Sequence, residues 1–468
     1  MKKRNYILII FMLITVLSAH GQEACRVYGT AEQYAGKTLE FFLYEDFLSE
    51  KTQPVFVMEV DNEGQFNTGF EVDQTRPVYC LAGIYKFWFL ATPGGNYELM
   101  LPDFIEKTKM EEYNPYFQPI LLMLGVKAES KKDVNKLVNG FDYSFNSLLD
   151  SHMVEYMTQK KQSGIVRHID SLKQKYPDTI PAYFASWKKY RFAMLRRMVY
   201  ERNHRFVINK YLQPDSVHYQ NTAYIELFKD VFKDYFDHCL LRPDGKELLT
   251  AVNDYKSPQK ISKFLSRMFE LDNPALREYA MIKGLSDAYY RDNYKKNSLL
   301  ICLDSIAEFS KFPEHRIAAK NMHTKLTHLG KGTPAPEMRL TDPQGDSIRL
   351  EDFTNHYTYL AFFHTELTPC RKQIGPLHDM ASKHEGDFKV LLVLMDEDRE
   401  MALKNIDAYR HKNMRIAFPA KREKVKEIYE LTTYPLYYLI GTDGKLIFSP
   451  SPAPTENFEN YFFDFVLN

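Results

Sequence analysis

The sequence is poor in the features that most readily betray a chemistry. Its 468 residues hold five cysteines, at 25, 80, 239, 302 and 370, and no Cys-x-x-Cys pair. That absence excludes an ordinary dithiol centre, which needs an attacking and a resolving thiol at that spacing. An odd number also leaves at least one thiol free or paired with another molecule. Net charge is absent too: Lys+Arg and Asp+Glu are equal at 61, so no overall field recruits a nucleic acid or an acidic membrane surface. Beyond the first residues no apolar run is long enough to cross a bilayer. His323 and His328 lie five apart and miss the three- or four-residue spacing of ligands on one helix face, and His238-Cys239 is no better, so no metal and no cofactor are assigned. No repeat period appears, which argues against a solenoid.

What is present fits a globular protein of two to four domains, with 44% hydrophobic and 26% charged residues. Lys2, Lys3 and Arg4, the apolar run 7–17 and the small residues Ala19 and Gly21 have the build of a signal peptide spanning 1–21. An uncleaved anchor is the alternative. Lipid attachment at Cys25 is another, with a poor lead-in, since Gln22-Glu23-Ala24 offers no apolar residue three positions before the cysteine. Cleavage and export place the mature chain in the periplasm or cell envelope, with no transmembrane span. In that oxidising compartment Cys25 and Cys80 either bridge or stay as two half-buried thiols.

Residues 22–102 read as strands. The runs 38–44, 55–60, 78–81 and 85–90 are rich in β-branched and aromatic residues, and Asp61-Asn62-Glu63-Gly64 and Pro93-Gly94-Gly95-Asn96 are turn signals between them. Six or seven short strands predict a small β-sandwich. From 103 to 330 the periodicity is helical. Tyr183, Trp187, Tyr190, Met194 and Met198 share one helix face, and Asn273-Pro274 marks a capped start ahead of the stripe Met281, Leu285, Ala288 and Tyr289. Lys188, Lys189, Arg191, Arg196 and Arg197 are expected on solvated faces, and aromatics such as Phe232, Tyr235, Phe236 and Tyr290 in the core of an all-α domain rather than in a peptide groove.

Gly330-Lys331-Gly332-Thr333-Pro334-Ala335-Pro336 is the clearest boundary in the chain. After it, the continuous apolar runs 359–363 and 388–394 alternate with helical stretches near 376–383, 400–409 and 421–429. This predicts right-handed crossovers and a largely parallel sheet over 331–468. Asp443-Gly444 is placed to turn a closing hairpin.

The run Phe362-Phe363-His364-Thr365-Glu366-Leu367-Thr368-Pro369-Cys370-Arg371-Lys372-Gln373, followed by Pro376, resembles the active-site segment of TlpA-like, AhpC/TSA-type thioredoxin-like proteins of the bacterial envelope. The entry Gly332-Thr333-Pro334-Ala335-Pro336 and the later Tyr434-Pro435-Leu436 fall in the order of that family. Asp61, Gly64 and Phe66 resemble a turn of the sandwich that precedes such domains. The resemblance implies a C-terminal α/β thioredoxin-like fold with Pro435 as the cis-proline beside the site. It also implies that Cys370 stands at the resolving position and Leu367 where the attacking thiol belongs. Gln373 replaces a proton-handling glutamate, and Tyr434 and Leu436 stand where a small residue and threonine are usual. Thr365 and Thr368 do not give Cys370 the register of a peroxidatic cysteine, and nothing in the sequence shows that His364 or Glu366 reaches the sulfur.

The expectation is a non-catalytic scaffold or clamp in which Tyr434, Pro435 and Leu436 hold an envelope protein or peptide of unidentified sequence. The alternative is a diverged thiol-disulfide oxidoreductase working through Cys370 alone. Oligomeric state is left open.

Overall fold

The computed structural model describes residues 24–114, 116–127, 133–159, 162–177, 181–199, 203–269 and 271–466. The expected signal segment 1–21 lies outside the described residues. Nine strands open the described chain: β1 (Cys25–Thr30), β2 (Thr38–Tyr44), β3 (Thr52–Glu59), β4 (Gln65–Phe70), β5 (Arg76–Ala82), β6 (Tyr85–Ala91), β7 (Asn96–Met100), β8 (Ile120–Met123) and β9 (Gly125–Lys127). They form two sheets, of order β4-β1-β7-β9 and β3-β2-β5-β6-β8. The predicted turn at 61–64 carries β3 into β4. Asp61 accepts from the backbone N–H groups of Glu63 and Gln65, and Gly64 takes a left-handed φ of 79° where a Cβ would lie 2.8 Å from the Glu32 Cα.

Alternation along these strands decides what each face covers. Val78 and Cys80 of β5 and Phe87 and Phe89 of β6 join Val27 and Leu99 of the other sheet in one core. Tyr79, Trp88 and Leu90, their neighbours in sequence, face the opposite way into the core of the helices. The aromatic run 85–90 is therefore buried on both sides, and Trp88 stacks on Trp187 at 5.9 Å between ring centroids. Cys25 and Cys80 are both buried and are not joined by a disulfide. The Cys25 thiol donates to Thr92 O at 3.2 Å, so the bridge left open by the sequence is not formed.

The expected change to helix at 103 comes later. Apart from the single turn Lys109–Glu112, the stretch supplies edge strands β8, parallel to β6, and β9, antiparallel to β7, and the long helices start at Val134. Ile120 and Leu121 are more than half exposed, so these strands are held by backbone pairing that side-chain periodicity does not announce. Among the helices, Pro274–Ala288 begins as expected, with Asn273 Oδ1 accepting from Ala275 and Leu276. The helix Ala182–Val199 departs from expectation. It is buried on more than one face, Lys188 is 2% exposed with Nζ donating to Tyr176 O, and Lys189 and Arg191 pair with carboxylates of neighbouring segments. A helix packed on several sides has no broad solvated face for its cations. Tyr290, by contrast, is 74% exposed rather than core.

The C-terminal region adds β10 (Leu340–Thr341), β11 (Ser347–Ile348), β12 (Tyr357–Phe363), β13 (Phe388–Leu394), β14 (Met414–Pro419), β15 (Leu436–Ile440) and β16 (Leu446–Phe448), in one sheet of order β11-β10-β14-β13-β12-β15-β16. Only β12, β13 and β14 are mutually parallel; the strands outside them pair antiparallel, so the sheet is mixed rather than largely parallel. Both faces are covered. Tyr359, Ala361 and Phe363 of β12 pack under the helix Thr368–Lys383, while Leu360 and Phe362 pack with Val425 and Tyr429 on the other side. This accounts for the unbroken apolar runs. The linker from 330 is tied to the β15–β16 hairpin by Gly332 N–H to Leu446 O, Leu446 N–H to Thr333 O and Ala335 N–H to Gly444 O. No described helix is long and apolar enough to cross a membrane.

Candidate functional site

The site lies at the carboxyl ends of the parallel strands, the usual place for ligands in open α/β sheets. Register builds it. Phe363 of β12 pairs with Leu394 of β13, so the two residues beyond each strand, Thr365 and Asp396, come face to face. Thr365 donates to Asp396 through its N–H at 2.9 Å and its hydroxyl at 2.7 Å, and Asn405 Nδ2 donates to the Thr365 hydroxyl at 2.9 Å. The carboxylate is thereby buried with partners, which burial requires.

His364 is 4% exposed and sits between this pair and the start of the helix. Its Nδ1 is 3.5 Å from Asp396 Oδ1, close enough for attraction but without a completed hydrogen bond. Its Nε2 shares a 2.7 Å hydrogen bond with the Tyr113 hydroxyl, and the two rings meet edge to face at 4.6 Å. The direction of this bond follows the tautomer: a proton on Nδ1, which faces Asp396, leaves Nε2 to accept from Tyr113. Burial is the main reason the Tyr113 phenol is pushed up to about 12, with the charges of Glu112, Glu366 and Asp396 adding to it.

The expected site residues divide into two groups. Cys370 is 1% exposed in the first turn of the helix Thr368–Lys383 and packs with Ile374, Leu377 and Phe363. Burial raises its thiol to about 12. The backbone N–H of His364, donating to Sγ at 3.4 Å, pulls the other way, and the Asp396 charge adds to the rise. The imidazole itself makes no bond to the sulfur. Leu367 occupies the helix N-cap, half-buried against the same core and unable to cap with its side chain. Gln373 donates from Nε2 to Thr455 Oγ1 at 2.7 Å.

Tyr434, Pro435 and Leu436 are all half-buried and the Tyr434–Pro435 bond is cis; Tyr434 packs against the core that holds Cys370, whereas Leu436, expected beside it, packs with the core on the other face of the sheet, because side chains alternate along the strand. The Tyr434 ring is 6.2 Å from that of His364, and burial raises its phenol. The structure therefore brings Leu367, Cys370 and Tyr434 to one corner. It adds two residues that the sequence had not marked, Tyr113 and Asp396, and gives His364, already weighed beside Cys370, a bond to Tyr113 instead of to the sulfur. Asp396 was within reach of sequence reasoning, as the first acid beyond an apolar strand that runs parallel to the site strand. Tyr113 was not.

The corner, the cis-proline and the mixed sheet define a thioredoxin-like domain, and residues 331–449 match the AhpC/TSA family. A curated relative, the thiol-disulfide oxidoreductase ResA of Bacillus thuringiensis subsp. konkukian, is 29% identical over 127 residues, covering 26% of this chain and 71% of the relative. ResA of Bacillus subtilis is 22% identical over 129 residues, covering 28% of this chain and 72% of the relative. Among solved structures, a thiol:disulfide interchange protein from Bacteroides sp. aligns with a TM-score of 0.27 and 22% identity over 30% of this chain and 93% of its own. A thioredoxin-like protein from Bacteroides caccae aligns with a TM-score of 0.30 and 16% identity over 56% of this chain and 93% of its own. The C-terminal domain is TlpA-like.

Proposed function

We propose that the protein is an exported, thioredoxin-like binding or scaffold protein whose C-terminal domain has lost the attacking thiol and keeps the cis-proline corner as a clamp for an extended peptide or protein segment. The observation that carries this reading is the state of Cys370. It is 1% exposed, its thiol is pushed up to about 12 chiefly by burial, and Leu367 stands three residues before it. A thiol kept neutral and covered is a poor nucleophile. Backbone groups beside a cis-proline still offer an extended chain hydrogen bonds, and Tyr434 adds apolar contact.

In the same reading, the two N-terminal sheets are a β-sandwich, the helices from 134 to 327 an all-α domain, and 331–468 the clamp domain. The segment 1–21 directs export to the periplasm or envelope. The first two domains space and brace the third.

The second reading is a thiol-disulfide oxidoreductase acting through Cys370 alone. It draws on the position of the sulfur in the first turn of a helix and on the N–H of His364, from the turn before that helix, which points at it. Alkylation of the native protein separates the two. Labelling of Cys370 at the rate of an exposed thiol, with loss of mixed-disulfide trapping in Cys370→Ser, supports the oxidoreductase. Labelling that appears only on unfolding, with peptide binding unchanged in Cys370→Ser, supports the clamp.

A further inference from the structure

Between β7 and β8 the chain leaves the N-terminal sheets, crosses to the C-terminal domain and returns. The root of this excursion is fixed by one main-chain bond and two bonds to the Gln33 side chain. Ile84 N–H donates to Ile105 O at 3.0 Å, Phe104 N–H to Gln33 Oε1 at 2.8 Å, and Gln33 Nε2 to Asp103 at 2.7 Å. The approach is so close that a Cβ on Gly83, whose φ is 55°, would lie 1.9 Å from Ile105 O. Phe104 packs edge-on to Tyr34 at 5.2 Å.

The tip is held differently. Thr108 and Glu111 close a capping box at the start of the single turn Lys109–Glu112, each side chain accepting from the other's backbone N–H. From that turn Tyr113 reaches His364, Lys109 reaches Glu366 at 3.2 Å, and Glu112 reaches Lys426 at 3.5 Å. Lys109 and Glu366 are 79% and 47% exposed, and Met110 is 85% exposed, so hardly any apolar burial holds the tip down. Exposed ion pairs of this kind are worth little in water. The tip nevertheless sits on the corner assigned above to a peptide: His364 lies against Tyr434, the residue before the cis-proline, and Tyr113 is among the groups acting on the Tyr434 phenol.

We propose that segment 104–114 is a built-in latch, an intramolecular occupant of the cis-proline corner, rooted on the N-terminal sheets at 103–105 and seated by Tyr113 on His364, which an incoming extended peptide must displace. The inference rests on the clamp reading for what displaces the latch, but not for the seating itself. Weak contacts at the tip and rigid ones at the root let the segment lift without unfolding the sheets that carry it.

The test uses the full chain and two readouts. Amide exchange is followed by mass spectrometry in the wild type, Tyr113→Ala, Glu366→Lys and the charge-swapped pair Lys109→Glu/Glu366→Lys. Loss of Tyr113 is expected to speed exchange about fivefold or more in both 104–114 and the turn 364–367, leaving 388–394 unchanged; the fivefold is the equivalent of one hydrogen bond. Glu366→Lys is expected to give a smaller rise that the swapped pair reverses. Unchanged exchange of 364–367 in Tyr113→Ala overturns the latch.

The second readout is binding of a fluorescent pool of random octapeptides, expected to be at least threefold tighter to Tyr113→Ala than to the wild type. Equal binding to both overturns the latch. If neither form binds the pool, the clamp reading fails, and the exchange result alone upholds or overturns the seating.

Discussion

Two buried clusters in this molecule are built from the same three side-chain types, a tyrosine, a histidine and a carboxylate. In the helical region Tyr219 bonds His315 Nε2 at 2.7 Å, and His315 Nδ1 bonds Glu278 at 2.8 Å. Ser310 donates to the same Glu278 oxygen, and His315 has no exposed surface. At the thioredoxin-like corner the Tyr113–His364 bond has the same length, but His364 Nδ1 finds no completed bond, because Asp396 is taken by Thr365. The first cluster is saturated and lies between helices that share one core. The second has a spare nitrogen and joins two parts of the chain across a thinly packed contact. Hydrogen-bond saturation and apolar surroundings make a polar network structural; an unfilled valence at a joint leaves it free to change partners.

The largest expected difference concerns whether the second cluster activates a thiol. With its thiol pushed up to about 12, Cys370 should alkylate about three orders of magnitude more slowly than an ordinary thiol near 8.5, measured by mass spectrometry at pH 8. Rapid labelling of the folded protein would break the contrast.

Next in size, His315→Ala should cost ~3 kcal/mol in urea unfolding, since it leaves a cavity and orphans both Tyr219 and Glu278. Tyr113→Phe should cost ~1 kcal/mol or less, and the smaller loss should appear as local opening rather than a shift of the main transition.

Acid should also separate the clusters. Burial alone raises the Glu278 carboxyl, but hydrogen bonds from His315 and Ser310 outweigh it and leave the group below the ordinary glutamate range. A folded-state value lower than the unfolded one gives stability that is present above the unfolded value and lost as pH falls through the folded value. Glu278→Gln should therefore be less stable than the wild type at neutral pH, with the gap narrowing as pH is lowered below about 4, in unfolding curves recorded from pH 7 to 3. The smallest effect is expected for Glu366→Lys, which should change global stability by under ~1 kcal/mol because the ion pair is exposed.

Much of this architecture is written locally. The alternation in 78–81 and 85–90, the cap Asn273-Pro274, the Gly/Pro break at 330–336 and the apolar strands at 359–363 and 388–394 all report on residues within a few positions of one another. Local periodicity says which face is apolar, not what covers it. It led Lys188 to be placed in solvent although it lies between packed helices, and it passed over β8 and β9, which are held by backbone pairing at a sheet edge. At the site, the identity of Leu367, Cys370 and Gln373 was legible because the three fall within seven consecutive residues. Asp396 needed the strand register.

By itself, the sequence determined that no Cys-x-x-Cys pair exists here and that the C-terminal region has the pattern of a thioredoxin-like fold. Both follow from residue identity and short-range periodicity. Only the tertiary structure decided that the Cys370 thiol is covered, with burial raising it, and that Tyr113 bonds His364, 251 residues away in sequence. Burial and long-range hydrogen bonds depend on which surfaces meet, and no local pattern carries that information.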